Sequence, residues 1–289
     1  MNATDGITVN REHKDRLFNF IFGAEENKKY LLSMYNAINN THYTNIEDIE
    51  ITTLMDVIYM RMKNDVSFIL HSEISLYEHQ STFNPNMPLR GLMYFASLYA
   101  QILSIRNKDI YGSSLVKIPT PRYIVFYNGN KTCPDKMELK LSDAFETPDY
   151  SGMFEWTATM LNINIGHNKE LFEKCLPLWQ YADYVDKVKT YSQTMPIKEA
   201  IDKAVSYAIN ADYLDGFFKN HKESVMGFSL TEFDEELFIK NRLEEGCIEE
   251  RTRIIKNLIA KNKSHDEIID LLGVTKEDIL TALDTMTDI

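Results

Sequence analysis

The 289 residues carry 43 acidic and 31 basic side chains, a formal net charge of −12, and 44% of them are hydrophobic. A chain of this length can bury a sizeable core, in one domain with an extension or in two small ones, so it needs no disulfide framework. Its charge excludes a histone-like or broadly basic nucleic-acid coat, because neutralising phosphates takes a local excess of lysine and arginine; a nuclease that gathers acids at a metal behind a modest basic rim is not excluded.

The N-terminal run MNATDGITVNREHKDRLF has no apolar stretch of the signal-peptide kind, and no uncharged apolar run approaches membrane-spanning length. The expectation is a protein neither exported by that route nor embedded in a membrane. From Lys14 to about Asn39 apolar residues recur at helical spacing, with a turn around Gly23, which predicts two helices. ITTLMDVIYMRM, NDVSFIL and EISLYEHQ follow, short runs rich in β-branched and aromatic residues that predict three consecutive strands. STFNPNMP reads as a loop and LRGLMYFASLYAQILSI as a largely buried helix. RYIVFYNG, an apolar run ending in Asn-Gly, predicts an interior strand reached by a right-handed crossover.

These elements make an α/β sandwich of about 130 residues, an ordinary domain size. The predicted organisation is an α/β core over residues 1–150, a helical extension over 151–228 and a charged helical tail over 229–289. NKELFEKCLPLWQYADYVDKVKTY and PIKEAIDKAVSYAINADYLDGFF read as amphipathic helices, with Pro196 where one would begin. TEFDEELFIKNRLEEGCIEERTRIIKNLIAKN reads as a long charged helix. The closing segment DEIIDLLGVTKEDI has the rhythm of a helix-turn-helix, with Gly273 at the turn and Thr275 as an N-cap. Its acidity favours oligomerisation or regulation over DNA reading. Cys133, Cys175 and Cys247 are widely separated and form no CxxC pair, which disfavours a zinc site or a secreted scaffold and suits a reducing cytoplasm.

Along a strand, residues two apart share a face, so Glu78 and Gln80 point one way and Tyr77 and His79 the other. A hairpin turning near His71 to Glu73 would bring Asp65, at the start of the preceding strand, beside Glu78. Two such carboxylates, completed by waters and a phosphate, suit Mg²⁺. Asp56 is the reserve ligand. His79 is expected to be packed or hydrogen-bonded, and Tyr94 and Tyr99 to pack in the core.

The arrangement of Asp65, Glu78-His79-Gln80, and Arg90 with Tyr94 and Tyr99 resembles the Rpn-type branch of the PD-(D/E)XK nucleases, a group also labelled nuclease-family transposases. The phrases DRLFNFIFG, SMYNAINNTHY, KNDVSFIL, LYEHQSTFNPNMPLRGLMYFASLY, PTPRYIVFYNG, LKLSDAF, LNINIGHN and SLTEFDEE carry the resemblance over most of the chain. It implies a restriction-endonuclease-like core, a mixed sheet flanked by helices and followed by an α-helical C-terminal region. It also implies Mg²⁺-dependent (or Mn²⁺- or Ca²⁺-dependent) hydrolysis of DNA in recombination, mobile elements or defence, a homo-oligomer, and metal ligation by Asp65 and Glu78. Gln80 stands where the general pattern has lysine, and Asn64 where it has proline. Gln80 can orient a water but carries no charge. Lys63, on the face of Asp65 by spacing, is a candidate substitute, and Arg90 a second source of positive charge at the phosphate. The competing expectation is a nuclease-like fold that binds DNA or protein without turnover.

Overall fold

The computed structural model describes residues 16–52, 65–149, 151–261 and 263–284. The chain divides into two compact units, Met1–Glu232 and Phe233–Ile289.

The first unit is built on a six-stranded mixed sheet in the order β1-β2-β3-β4-β6-β5. The strands are β1 (Ile49–Ile51), β2 (Val66–Leu70), β3 (Glu73–Gln80), β4 (Thr120–Tyr127), β5 (Lys136–Lys140) and β6 (Thr157–Asn162). The predicted hairpin is present: β2 and β3 pair antiparallel with Leu70 opposite Glu73, and His71 takes the turn at φ 55°. Of the run ITTLMDVIYMRM, all but the first two residues, Asp56 included, lie outside the described residues. The expected helix is α3 (Met87–Ile105), which leads back to β4, parallel to β3.

Alternation along β3 divides the core in two. Leu76, with Tyr123, Val125 and Tyr127 of β4 and Met160 of β6, packs against Tyr94, Phe95 and Leu98 of α3. On the opposite face His79 stacks on Phe18 of α1 (Arg16–Phe22) and meets Tyr181 of α5 (Leu176–Ser192). The two helices expected between Lys14 and Asn39 are α1 and α2 (Lys28–Asn39).

The sheet does not end at residue 150, as the sequence pattern suggested. β6 lies beyond that point and pairs parallel with β4, while β5 pairs antiparallel with β6. Both strands are short, and edge strand β5 (KMELK) buries one residue, Leu139, so charges that protect an open edge mask its period. The helix read over NKELFEKCLPLWQYADYVDKVKTY is two, α4 (Lys169–Lys174) and α5, broken at Cys175 (φ −133°, ψ 83°) with proline in the first turn of α5. The segment from Pro196 likewise divides into α6 (Ile197–Asn210), begun at Pro196 as expected, and the single turn α7 (Phe217–Asn220). The long charged helix is α8 (Lys222–Ala260), starting ahead of the predicted run.

In the second unit Ile255, Ile268, Val274 and Ile279 form a small core. The predicted helix-turn-helix is α9 (His265–Leu272) and α10 (Lys276–Asp284), with Gly273 left-handed at φ 64°. Thr275 caps as expected: its hydroxyl accepts from the Asp278 amide at 3.2 Å, and the Asp278 carboxylate accepts from the Thr275 amide at 2.7 Å. No helix among the described residues is long and apolar enough to cross a membrane.

Two glycines test the packing of the first unit. A Cβ on Gly91 of α3 would fall 2.2 Å from Cε1 of buried Tyr123, whereas one on Gly227 of α8 would meet nothing within 4 Å. Gly91→Ala should therefore lower stability to urea by about 1–3 kcal/mol, and Gly227→Ala should raise it by up to about 1 kcal/mol.

At the hairpin end, Glu73 accepts from Arg122 at 2.8 Å and from the Tyr35 hydroxyl at 2.8 Å, and Arg122 first, then Tyr35, holds its pKa below the ordinary value. A depressed carboxylate contributes stability that is complete above its unfolded pKa of about 4.3 and lost as pH falls through the lower folded value. Glu73→Gln should accordingly shallow the acid limb of a stability-versus-pH curve below about pH 4.3 and leave the neutral plateau's slope unchanged.

Candidate functional site

Asp65 immediately precedes β2, and continuing the register Val66↔Tyr77 by one position sets it opposite Glu78. Its backbone N–H donates to Glu78 Oε1 at 3.3 Å, and its own carboxylate accepts from the backbone N–H of His79 at 2.6 Å. The hairpin thus brings the two acids side by side, as the spacing predicts. Glu78 lies in the interior of β3, paired with Val125 of β4, and is only 1% exposed.

A carboxylate so far from water needs a counter-charge, because an isolated buried charge costs several kcal/mol. Arg90 supplies it from the first turn of α3. One guanidinium nitrogen, Nη2, stands 3.1 Å from Glu78 Oε2 and donates to the Tyr94 hydroxyl at 3.0 Å. The other, Nη1, reaches Gln80 Oε1 at 3.4 Å and Met87 Sδ at 3.5 Å. Burial pulls the Arg90 pKa down, but the charge of Glu78 and the phenol of Tyr94 outweigh it and hold it above its ordinary value. Tyr94, which feels burial first and the Glu78 charge second, is pushed up to about 12 and so keeps its proton at neutral pH.

Asp65, Glu78, Gln80 and Arg90 therefore converge on one corner of the sheet, on its α3 side. Lys63 and Asn64 lie outside the described residues. The amide of Gln80 donates to the His79 carbonyl at 2.8 Å, so its oxygen is the end that faces Arg90. His79 points away, as expected, with Nε2 3.2 Å from the Tyr181 hydroxyl. Tyr99 has a structural bond, its hydroxyl donating to the Pro119 carbonyl at 2.7 Å.

Sequence reasoning assigned Tyr94 to packing alone. It does pack, yet it also accepts from Arg90, and the i,i+4 spacing of the pair on one helix face was the available signal. Tyr123 was not foreseen. Paired with Leu76 and hence on the Glu78 side of the sheet, it is 5% exposed and its hydroxyl has no hydrogen-bond partner among the described residues; burial, then the charge of Glu78, raises its pKa. That placement depends on the register between β3 and β4, which sets Leu76 beside Tyr123 and which no local pattern encodes.

The donor set suits a hard divalent cation: two carboxylates on neighbouring strands, one of them buried and already facing a positive group. Among the described residues no group of three or more His, Cys, Asp or Glu side chains converges. Mg²⁺ does not require one, since waters and a phosphate complete its shell. Asp65 and Glu78 are the residues that would hold it. Comparison with protein families, with curated proteins and with solved structures finds no match.

Removing one partner of the ion pair should cost more than removing both. Arg90 is about one-third exposed, so Arg90→Met is expected to lower stability by about 1–3 kcal/mol, less than for a fully dry pair. The Arg90→Met/Glu78→Gln double variant should lose clearly less than the sum of the single changes in urea unfolding.

Proposed function

We propose that this protein is a metal-dependent DNA endonuclease of the PD-(D/E)XK kind, in which Asp65 and Glu78 hold Mg²⁺ or a similar ion on a restriction-endonuclease-like core. The observation that carries this reading is the pair of acids at the open end of the β2–β3 hairpin, one buried, with a helix-borne arginine against it. A divalent ion bound there would acidify a water and neutralise charge gathering on the phosphate.

The chain's own groups divide the remaining work. Arg90, a planar and permanently charged donor, holds a non-bridging phosphate oxygen and takes over the charge role that lysine has in the general pattern. Gln80, two residues beyond Glu78 on the same strand face, orients the attacking water without adding charge. Lys63, by its spacing from Asp65, is a second source of the positive charge that lysine supplies in the general pattern. The loops after β3 and β4 run together beside these residues: the Asn128 amide donates to the Gln80 carbonyl at 3.1 Å, and Lys131 lies over the Phe83 ring at 4.0 Å. Lys131 and Phe83 offer a cation and a ring to a nucleic-acid backbone and base. Work as a homo-oligomer in the cytoplasm, in recombination, mobile-element movement or defence, completes the proposal.

The contact between Arg90 and Glu78 also favours a second reading. With a guanidinium on its buried acid, the same fold would serve as a binding or assembly module without turnover.

Incubation of supercoiled plasmid with purified protein and Mg²⁺, Mn²⁺, Ca²⁺ or chelator separates the two. The nuclease reading predicts nicking with Mg²⁺ or Mn²⁺, none with chelator, and a loss of about 100-fold or more in Asp65→Ala and Glu78→Ala. Folded protein that nicks under none of these conditions would leave the binding module.

A further inference from the structure

Glu78 and Arg90 differ in their freedom to move. The Glu78 carboxylate is held inside β3, 1% exposed, with Oε1 accepting from the Asp65 amide. Arg90 reaches it from the first turn of α3 with a long side chain that is about one-third exposed. A cation arriving at Glu78 must therefore come to the carboxylate and meet a guanidinium already on it. Both are positive, and one buried carboxylate oxygen cannot serve both without strong repulsion in a site of low polarity.

The surroundings allow Arg90 to let go without being stranded. It keeps the Tyr94 hydroxyl at 3.0 Å as an acceptor, its contact to Gln80 Oε1 is long at 3.4 Å, and the thioether of Met87 is a weak acceptor. What Tyr94 cannot supply is negative charge. A phosphodiester can, in the bidentate geometry a guanidinium prefers.

Resting on the nuclease reading above, we propose that Arg90 makes metal binding and nucleic-acid binding cooperative: without a phosphate it occupies Glu78 and keeps metal affinity low, and a DNA phosphate draws it away and opens Glu78 to the ion. By linkage, the metal strengthens DNA binding by the same factor. A nuclease coupled in this way is charged with metal chiefly when substrate is in place.

The test is a titration of Mn²⁺, followed by the EPR signal of the free ion, into wild-type protein and Arg90→Gln, each with and without a short DNA duplex checked for integrity on a gel. Wild type should bind Mn²⁺ at least about tenfold tighter with duplex present. Arg90→Gln should bind Mn²⁺ at least about tenfold tighter than wild type without duplex, and the duplex should then raise its affinity by at least about tenfold less than it does for wild type. Mn²⁺ binding that the duplex leaves unchanged in wild type would overturn the coupling and leave the nuclease reading standing. So would an Arg90→Gln variant that binds Mn²⁺ no tighter than wild type in the absence of DNA. Failure of every form to bind Mn²⁺, with or without duplex, would overturn both. Should Arg90→Gln not fold, Arg90→Lys, which keeps the charge but loses the two-nitrogen fork, takes its place, and Mn²⁺ binding by it no tighter than wild type without duplex would overturn the coupling.

Discussion

A carboxylate buried in the middle of a β-strand must be given a positive partner, and the rest of the site follows from how Glu78 obtains one. The strand cannot move it to water: β3 is hydrogen-bonded on both sides, to β2 and β4, and Glu78 is 1% exposed. The partner must come from outside the sheet. The crossover from β3 to β4 provides it, because α3 begins just after the strand ends and presents Arg90 in its first turn. Asp65 is placed by the same strand from the other side, through the β2–β3 register. An apolar residue at position 78 would pack more cheaply, since buried ion pairs seldom stabilise a fold relative to hydrophobic substitutes. That cost is the physical reason to seek a function in this corner.

Much of this was legible in the sequence where local rules decide the outcome. Period-two alternation in LYEHQ puts Glu78 and Gln80 on one face and His79 on the other, and the structure agrees: Glu78 and Gln80 both meet Arg90, while His79 meets Phe18 and Tyr181. The hairpin turn, α3, β4, the start of α6 at Pro196 and the capped pair α9–α10 were likewise legible from turn, period and cap signals. What escaped depended on partners distant in sequence. β5 and β6 carry little pattern of their own and are strands because they complete the edge of the sheet beyond β4. Tyr123 faces the site only because Leu76 and Tyr123 are neighbours across parallel strands. That Glu78 is the acid Arg90 pairs with was similarly hidden, since it depends on where α3 starts relative to the end of β3.

The chain's overall acidity has a local counterpart here. A net charge of −12 offers no broad attraction to nucleic acid, so positive charge near the acids has to be placed residue by residue. Arg90 and Lys131 are held where loops and a helix start converge at the ends of the central strands β3 and β4. In the proposed enzyme a few positioned cations do what a basic surface does elsewhere, with selectivity left to geometry. The second unit gathers its own small core from Ile255, Ile268, Val274 and Ile279.

The central claim is that Asp65 and Glu78 together form a seat for a hard divalent ion. Anomalous diffraction from crystals of the wild-type protein grown with Mn²⁺ and a DNA oligonucleotide addresses it most directly. The account predicts one strong Mn²⁺ peak bridging the two carboxylates, with the Arg90 guanidinium off Glu78 and on a phosphate. A well-ordered site with no peak there, and Arg90 still bonded to Glu78 beside bound DNA, would contradict it.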